Sequence, residues 1–248
     1  MDRTFDDLVE EAESVSVDGW DFSWLDGRAT EARPSWGYAR LLAGRMATAE
    51  AALDIETGGG EILAGVPKLP PITVATESWP PNLALAARRL RPRGAAVVAD
   101  DEQPRLPFRA NTFDLIVSRH PVHTWWAEIA RVLRPGGTYF SQQVGPRSVV
   151  ELTEHFLGPQ DGSGRDPEKA RVAAEQAGLT VADLRAESLR MEFRDIGAVI
   201  YFLRKVIWIV PGFSVGRYRN ELRDLHERIQ EDGPFIAHST RFLIEARA

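Results

Sequence analysis

Short apolar runs alternate with amphipathic stretches along most of the chain. The runs Ala51–Ile55, 72–76, 95–99, 113–118 and 138–144 are rich in Val, Ile, Leu and Ala, and each is long enough for one strand only. Between them lie helical patterns. In 38–50, Leu41, Leu42 and Met46 share a face opposite Arg40 and Arg45, and in 81–91 Leu83, Ala84, Ala87 and Leu90 form a second apolar stripe. A short helix over 61–66 closes at Pro67, and another runs through Trp125, Ile129, Val132 and Leu133 until Pro135-Gly136-Gly137 ends it and opens the strand at 138.

This alternation predicts an α/β architecture, a doubly wound and mostly parallel sheet with helices on both faces. Further along, the pattern predicts a helix over 148–157, a Gly/Asp/Ser loop over 158–166 and a helix over 167–177. A strand over 179–191 follows, then helices over 195–205 and 215–231 separated by Ile209-Val210-Pro211-Gly212-Phe213, and a last strand over 240–246. Seven strands result. The whole of 1–248 reads as one domain, with 1–37 as an aromatic-rich N-terminal segment packed on it. Residues 192–234 form a helical insertion before the last strand, placed to serve as a substrate cover.

Composition narrows the partners. The formal net charge of −6 argues against a protein that grips phosphate backbones. The Arg88-Arg89-Leu90-Arg91-Pro92-Arg93 cluster sits at a helix C-terminus, where cations offset the helix dipole, and reads as a solvated face. There is no cysteine, which excludes disulfides, thiolate metal sites and cysteine nucleophiles, and the five histidines are too dispersed for a metal site. The apolar stretch 196–210 contains Arg204 and Lys205 and falls short of the about 20 residues a bilayer needs. The N-terminus lacks the basic and apolar regions of a signal peptide, so a cytoplasmic protein is expected.

Candidate chemistry gathers at strand ends. Leu53-Asp54-Ile55-Glu56-Thr57-Gly58-Gly59-Gly60-Glu61 reads as strand, tight turn and helix start, where glycine permits positive φ and close approach to a ligand. Glu77 ends the second strand, and Asp100 and Asp101 end the third. Ligands of doubly wound sheets bind at such carboxyl ends. His120 and His123 follow the fourth strand as candidate general bases, or are ordinary histidines at a helix start. Trp36, Tyr38, Trp125, Trp126, Tyr201 and Trp208 either wall a pocket or pack the core. Gln142 and Gln143 end the fifth strand, placed to bind substrate or to satisfy loop backbone.

The order of these features resembles the class I S-adenosylmethionine-dependent methyltransferases over roughly 38–190. The family's first strand and turn, acid-x-Gly-x-Gly-x-Gly, matches Asp54, Glu56, Gly58 and Gly60, and Glu56 departs from the family's glycine. Leu106-Pro107-Phe108 with Asn111-Thr112-Phe113-Asp114 resembles its Leu-Pro-Phe and Phe-Asp segment, and Leu133-Arg134-Pro135-Gly136-Gly137 its Leu-x-Pro-Gly-Gly turn. More narrowly, Ser118-Arg119-His120, Gln142-Gln143-Val144-Gly145 and the 195–213 stretch resemble a poorly characterised bacterial branch, the methyltransferase type 11-like proteins.

The resemblance implies a Rossmann-like fold and S-adenosylmethionine held by Asp54, Glu56, Thr57, Gly58, Gly60, Glu77, Asp100, Asp101 and Ser118. Glu77 would take both ribose hydroxyls, and Asp100 or Asp101 would approach the adenine amino group. His120 and His123 are implied as the catalytic residues, with Arg119, Gln142, Gln143 and Tyr201 toward the substrate and no metal. The expected reaction is in-line methyl transfer to a small-molecule acceptor. Its alternatives are an RNA methyltransferase and a non-catalytic S-adenosylmethionine-binding module, the latter motivated by Glu56. An NAD-linked dehydrogenase fits the glycine pattern and the later landmarks poorly.

Overall fold

Five of the predicted strands pair side by side in a computed structural model that describes residues 3–18, 20–101, 103–161 and 164–248. They are β2 (Ala51–Ile55), β3 (Ile72–Glu77), β4 (Ala96–Ala99), β5 (Phe113–Arg119) and β6 (Leu133–Val144). All adjacent pairs among them are parallel: Leu53 stands opposite Val74 on one side and Ile116 on the other, Val74 opposite Ala96, and Val117 opposite Phe140. With β1 (Ala29–Glu31), β7 (Thr180–Phe193) and β8 (Phe235–Arg247) the order is β1-β7-β8-β6-β5-β2-β3-β4. Among the described residues the sheet therefore has eight strands, not seven. The extra one is β1, three residues paired antiparallel to β7 from Ala29↔Phe193 to Glu31↔Met191, too short to leave a periodic signal.

Order reverses between β2 and β5, the topological switch point of the sheet. β2 is buried along its whole length, which is why it reads as an unbroken apolar run rather than an alternating one. Its residues still divide by face. Ala52 packs with Ala75, Leu115 and Phe140 beneath the helices α2 (Tyr38–Met46), α3 (Glu61–Ala64) and α4 (Pro80–Leu90). Ala51, Leu53 and Ile55 pack with Ile116, Tyr139 and Phe242 beneath α5 (Trp126–Val132) and Ala174 of α7 (Pro167–Gln176). Helices on both faces follow from that division.

The chain separates into two compact units. One comprises Pro34–Gly145, Gly164–Glu187 and Arg241–Ala248, and contains β2 to β6. The other comprises Met1–Arg33, Pro146–Ser163 and Ser188–Thr240, and its core joins α1 (Phe5–Ser14), α6 (Val150–Leu157), α8 (Ile196–Lys205) and α9 (Arg219–Asp232). α1 puts Phe5, Leu8, Val9 and Ala12 on one buried face and starts with a capping box between Thr4 and Asp7. Met1, Asp2 and Gly19 of the N-terminal segment, Glu102, and Gly162 and Ser163 of the expected loop lie outside the described residues. No helix among the described residues is long and apolar enough to cross a membrane.

Boundaries moved where tertiary contacts outweigh local pattern. α2 stops at Met46 instead of 50, where the chain turns and the Thr48 N–H donates to the Arg45 carbonyl. α9 begins at Arg219 instead of 215, and β8 reaches back to Phe235 instead of 240. Pro135-Gly136-Gly137 does not separate α5 from a later strand but lies inside β6, because Leu133 already pairs with Phe113. The register then jumps to Leu115↔Thr138, and Gly136 turns left-handed at φ 79° to absorb the extra residues.

Within that irregularity Asp114 ties β5 to the entrance of β2. Its carboxylate accepts the N–H groups of Glu50 (2.9 Å) and Ala51 (2.8 Å). Asp114→Ala leaves both donors unmade at the sheet's central seam, and urea unfolding should show a loss of about 1.5–3 kcal/mol, with Asp114→Asn losing less.

Candidate functional site

The turn after β2 is built around three positive φ angles. Gly58 (φ 62°) and Gly60 (φ 80°) adopt left-handed backbone freely, and a Cβ on Gly60 would stand 3.1 Å from Leu90 and 3.2 Å from the Ala86 backbone. Glu56 takes the same region at φ 55°, where a side chain costs roughly 1 kcal/mol or more. The departure from glycine at 56 is thus a departure at a position whose backbone asks for glycine. Glu56 offsets that strain through its carboxylate, which accepts the Val122 N–H at 2.5 Å and the His123 N–H at 3.4 Å. Burial pushes its pKa up against those two bonds. Its own N–H donates to Thr76 Oγ1 at 3.4 Å, and the Thr57 N–H to the Thr76 carbonyl at 2.9 Å, which docks the turn on β3.

Three carboxylates stand at the ends of adjacent strands. Asp54 is buried at 8% exposure, accepts the Thr57 hydroxyl at 2.7 Å, and has its pKa raised to about 7, chiefly by desolvation and further by the negative charge of Glu77. Glu77, at 6% exposure, accepts the Trp79 N–H at 2.9 Å, and its carbonyl accepts the Asp100 N–H at 3.1 Å. Asp100 and Asp101 line an open cleft beyond β4 with Leu106, Pro107 and Phe108. Ala99, Arg105, Arg109 and Arg131 complete the lining, so the cleft sets carboxylates and guanidinium groups beside an apolar wall, a mixture that suits a flat ring with an exocyclic amine.

Across the switch point the ends of β5 and β6 carry a different set. His120 follows β5 in left-handed backbone (φ 57°), donates its N–H to the Gln142 carbonyl at 2.7 Å, and places Nε2 2.9 Å from the Gln142 side-chain nitrogen. The Gln142 oxygen accepts the Trp36 indole N–H at 2.8 Å. Burial, joined by the charges of Arg119, Arg241 and Arg165, holds the His120 pKa well below the ordinary histidine range. His123 is exposed and stacks on Trp125 with ring centroids 5.0 Å apart.

Ser118 turns inward. Its hydroxyl lies 2.8 Å from both the Tyr139 and Ser141 hydroxyls, and its carbonyl accepts the Tyr38 hydroxyl at 3.0 Å. Gln143 donates to Thr124 Oγ1 and to the Tyr139 hydroxyl, each at 3.3 Å. Tyr201 belongs to the unit built on α8: it is buried, packs its ring tilted against Trp24 with centroids 4.8 Å apart and donates its hydroxyl to the Asp21 carbonyl at 3.0 Å.

All the other predicted site residues fall in the unit that contains β2 to β6. Tyr139, Ser141, Thr76 and Thr124 were not singled out by sequence. Their hydroxyls matter only because strand register makes them neighbours, and pairs such as Ser118↔Ser141 leave no local trace.

Residues 53–141 match the family model described as a methyltransferase domain. No curated protein matches the chain. Among solved structures the chain is similar to BH2331, a candidate methyltransferase from Bacillus halodurans C-125, at 17% identity and TM-score 0.61, covering 84% of this chain and 97% of that one. A candidate sarcosine dimethylglycine methyltransferase from Galdieria sulphuraria aligns at 16% identity and TM-score 0.54, over 86% and 84%. A chain of the complex between the Haloferax volcanii Trm112 methyltransferase activator and its candidate methyltransferase aligns at 19% identity and TM-score 0.53, over 97% of each. At these identities the likeness establishes the fold.

Glu56→Ala removes both bonds to the loop after β5 yet keeps the left-handed backbone. It should destabilise the protein by about 1–3 kcal/mol and speed hydrogen exchange at Val122 and His123. Glu56→Gly relieves the strain and should lose less stability while exchange at the same two amides still rises.

Proposed function

We propose that this chain, a member of the class I S-adenosylmethionine-dependent methyltransferases by its methyltransferase domain and fold, methylates a small molecule from a cofactor seated along β2, β3 and β4. The observation that carries the seating is the row of carboxylates at the ends of those three strands, beside a turn of left-handed backbone. Glu77 takes the two ribose hydroxyls, since a carboxylate accepts two donors at once. Asp100 and Asp101, with the Leu106–Pro107–Phe108 wall, receive the adenine. The turn from Asp54 through Thr57, Gly58 and Gly60 holds the methionine portion, with Glu56 locking the adjoining loop and Ser118 forming the floor at the end of β5.

Bound S-adenosylmethionine supplies a methyl group on an electrophilic sulfonium, open to in-line displacement. What remains for the protein is to align the acceptor and keep water out. Arg119, Gln142 and Gln143 stand at the ends of β5 and β6, where the acceptor is placed, and His123 lies on the loop that Glu56 holds. A small-molecule acceptor is favoured by the net charge of −6, and it agrees with the name of the Galdieria neighbour. The competing reading is an enzyme that works with a protein activator, which the full-length alignment to the Haloferax complex supports. Turnover by the isolated chain separates the two.

Isothermal calorimetry with S-adenosylmethionine and S-adenosylhomocysteine tests the seating directly, and folded protein that gives no heat with either defeats it. Glu77→Ala should weaken both ligands by about 1–3 kcal/mol.

A proton should leave on binding. With its pKa raised to about 7 from the ordinary 3.8, Asp54 holds its proton at pH 6 in the empty protein. The cofactor's positive charge favours the carboxylate and lowers that pKa. The binding heat at pH 6 should therefore vary with the ionisation enthalpy of the buffer, and much less so at pH 8. In the empty protein the same group lowers stability as pH rises from about 4 to 7, because the unfolded chain ionises there while the folded one does not.

A further inference from the structure

The strand ends on the two sides of the switch point carry different charges, although Arg105, Arg109 and Arg131 also line the cleft beyond β4 and the Glu56 carboxylate reaches the loop after β5. Asp54, Glu77 and Asp100 end β2, β3 and β4 or directly follow them. On the other side, Arg119 ends β5 and pairs in register with Gln142, and Arg241 of antiparallel β8 stands opposite Val144 at the end of β6. His120 lies in this second group, with Arg119, Arg241 and Arg165 all close enough to oppose a positive charge on its ring.

The protonation of His120 follows from its partners. An indole N–H can only donate, so the Gln142 oxygen is fixed toward Trp36 and its NH₂ toward His120. That NH₂ needs a lone pair on Nε2. A neutral imidazole has one lone pair, so the ring proton sits on Nδ1. Nδ1 has no hydrogen-bond partner among the described residues and is not among their fully buried unpaired atoms, and the residue keeps part of its surface exposed. A histidine held in this way has no free lone pair with which to take a proton.

We infer that His120 serves as a hydrogen-bond donor, and that the methyl acceptor is a small molecule whose anionic oxygen, carboxylate or phosphate, is received by His120 Nδ1–H. Gln142 and Trp36 are positioning residues that set the tautomer. The inference rests on the acceptor lying beside β5 and β6 as proposed above. Charge supports it: the strand-end carboxylates suit the hydroxyls, amine and positive charge of the cofactor, and Arg119, Arg165 and Arg241 lie close to His120, where an anion would be received. Neutral His120 then adds direction to the attraction of the arginines, since a hydrogen bond to a charged oxygen is strong and geometrically specific.

The test is nitrogen-15 NMR of the histidine-labelled full chain, with and without S-adenosylhomocysteine. His120 should show the Nδ1–H tautomer and remain neutral through the range in which an ordinary histidine titrates. Sodium benzoate and inorganic phosphate are then titrated in, with benzamide as the uncharged control. At least one anion should shift the His120 Nδ1–H resonance saturably, with benzamide leaving it in place, and the source of the shift tells carboxylate from phosphate. Raising the salt from 0.1 to 0.5 M should weaken that binding severalfold.

His120→Asn tolerates the left-handed backbone but withdraws the ring donor, and anion affinity should fall about tenfold or more. Trp36→Phe frees the Gln142 amide to turn over, so the Nε2–H tautomer should appear while the far-ultraviolet dichroism stays unchanged. An Nε2–H tautomer in the unmutated chain, ordinary titration of His120, or an equal response to benzamide and both anions overturns the inference. Absence of S-adenosylhomocysteine binding alongside a normal anion response places the failure in the cofactor seating instead.

Discussion

Everything at the carboxyl edge depends on a central strand that is buried to its end and finishes in a carboxyl group. β2 is gripped by β3 and β5, and its register leaves Asp54 where water scarcely reaches. A carboxyl in that position either ionises at a large desolvation cost or keeps its proton, and with Thr57 as its one side-chain donor among the described residues the second outcome prevails. The consequence is a carboxyl group that holds its proton near neutral pH. The burial that raises the Asp54 pKa also penalises the protein as pH rises, because the folded state holds a proton that the unfolded chain releases.

Glu56 connects the two halves of the edge. In a turn that otherwise relies on glycine, it accepts strained backbone, and its carboxylate ties the end of β2 to the amides of Val122 and His123 beyond β5. The loop carrying His123 is therefore held by the same residue that shapes the glycine turn. The substitution that looked like a defect in a motif is a structural clamp.

The strand ends on the two sides of the switch point carry different charges. Acids end the strands on one side, and Arg119, Arg241 and a neutral His120 gather on the other. Parallel strands bring residues distant in sequence to a common edge. Antiparallel β8 adds Arg241 to that edge by entering from the opposite direction. Ser118, Tyr139 and Ser141 form a buried hydroxyl cluster under the end of β5, so the polar surface there stands on a polar, fully paired base.

The sequence by itself determined the alternating α/β order, the glycine turn, the strand-end positions of Asp54, Glu77 and Asp100, and the anomaly at Glu56. Each of these is written in local periodicity or in a few consecutive residues. It also contained α1, whose Thr4–Asp7 cap and Phe5, Leu8, Val9 and Ala12 spacing carry an ordinary amphipathic signal that the run of acids and tryptophans in 1–37 obscured. Only the tertiary structure decided that β1 makes an eighth strand, since three residues become a strand through the partner they find in β7. It alone aimed Glu56 at the loop of His123, set Tyr201 on the Asp21 carbonyl, and joined Trp36, Gln142 and His120 into one relay. Those are pairings across 67, 180 and 106 positions of chain, fixed by strand register and by the direction in which a donor or a lone pair points. Neither quantity has a local signature, which is why the strand-end positions of the candidate residues were legible in the sequence and the partners their side chains find were not.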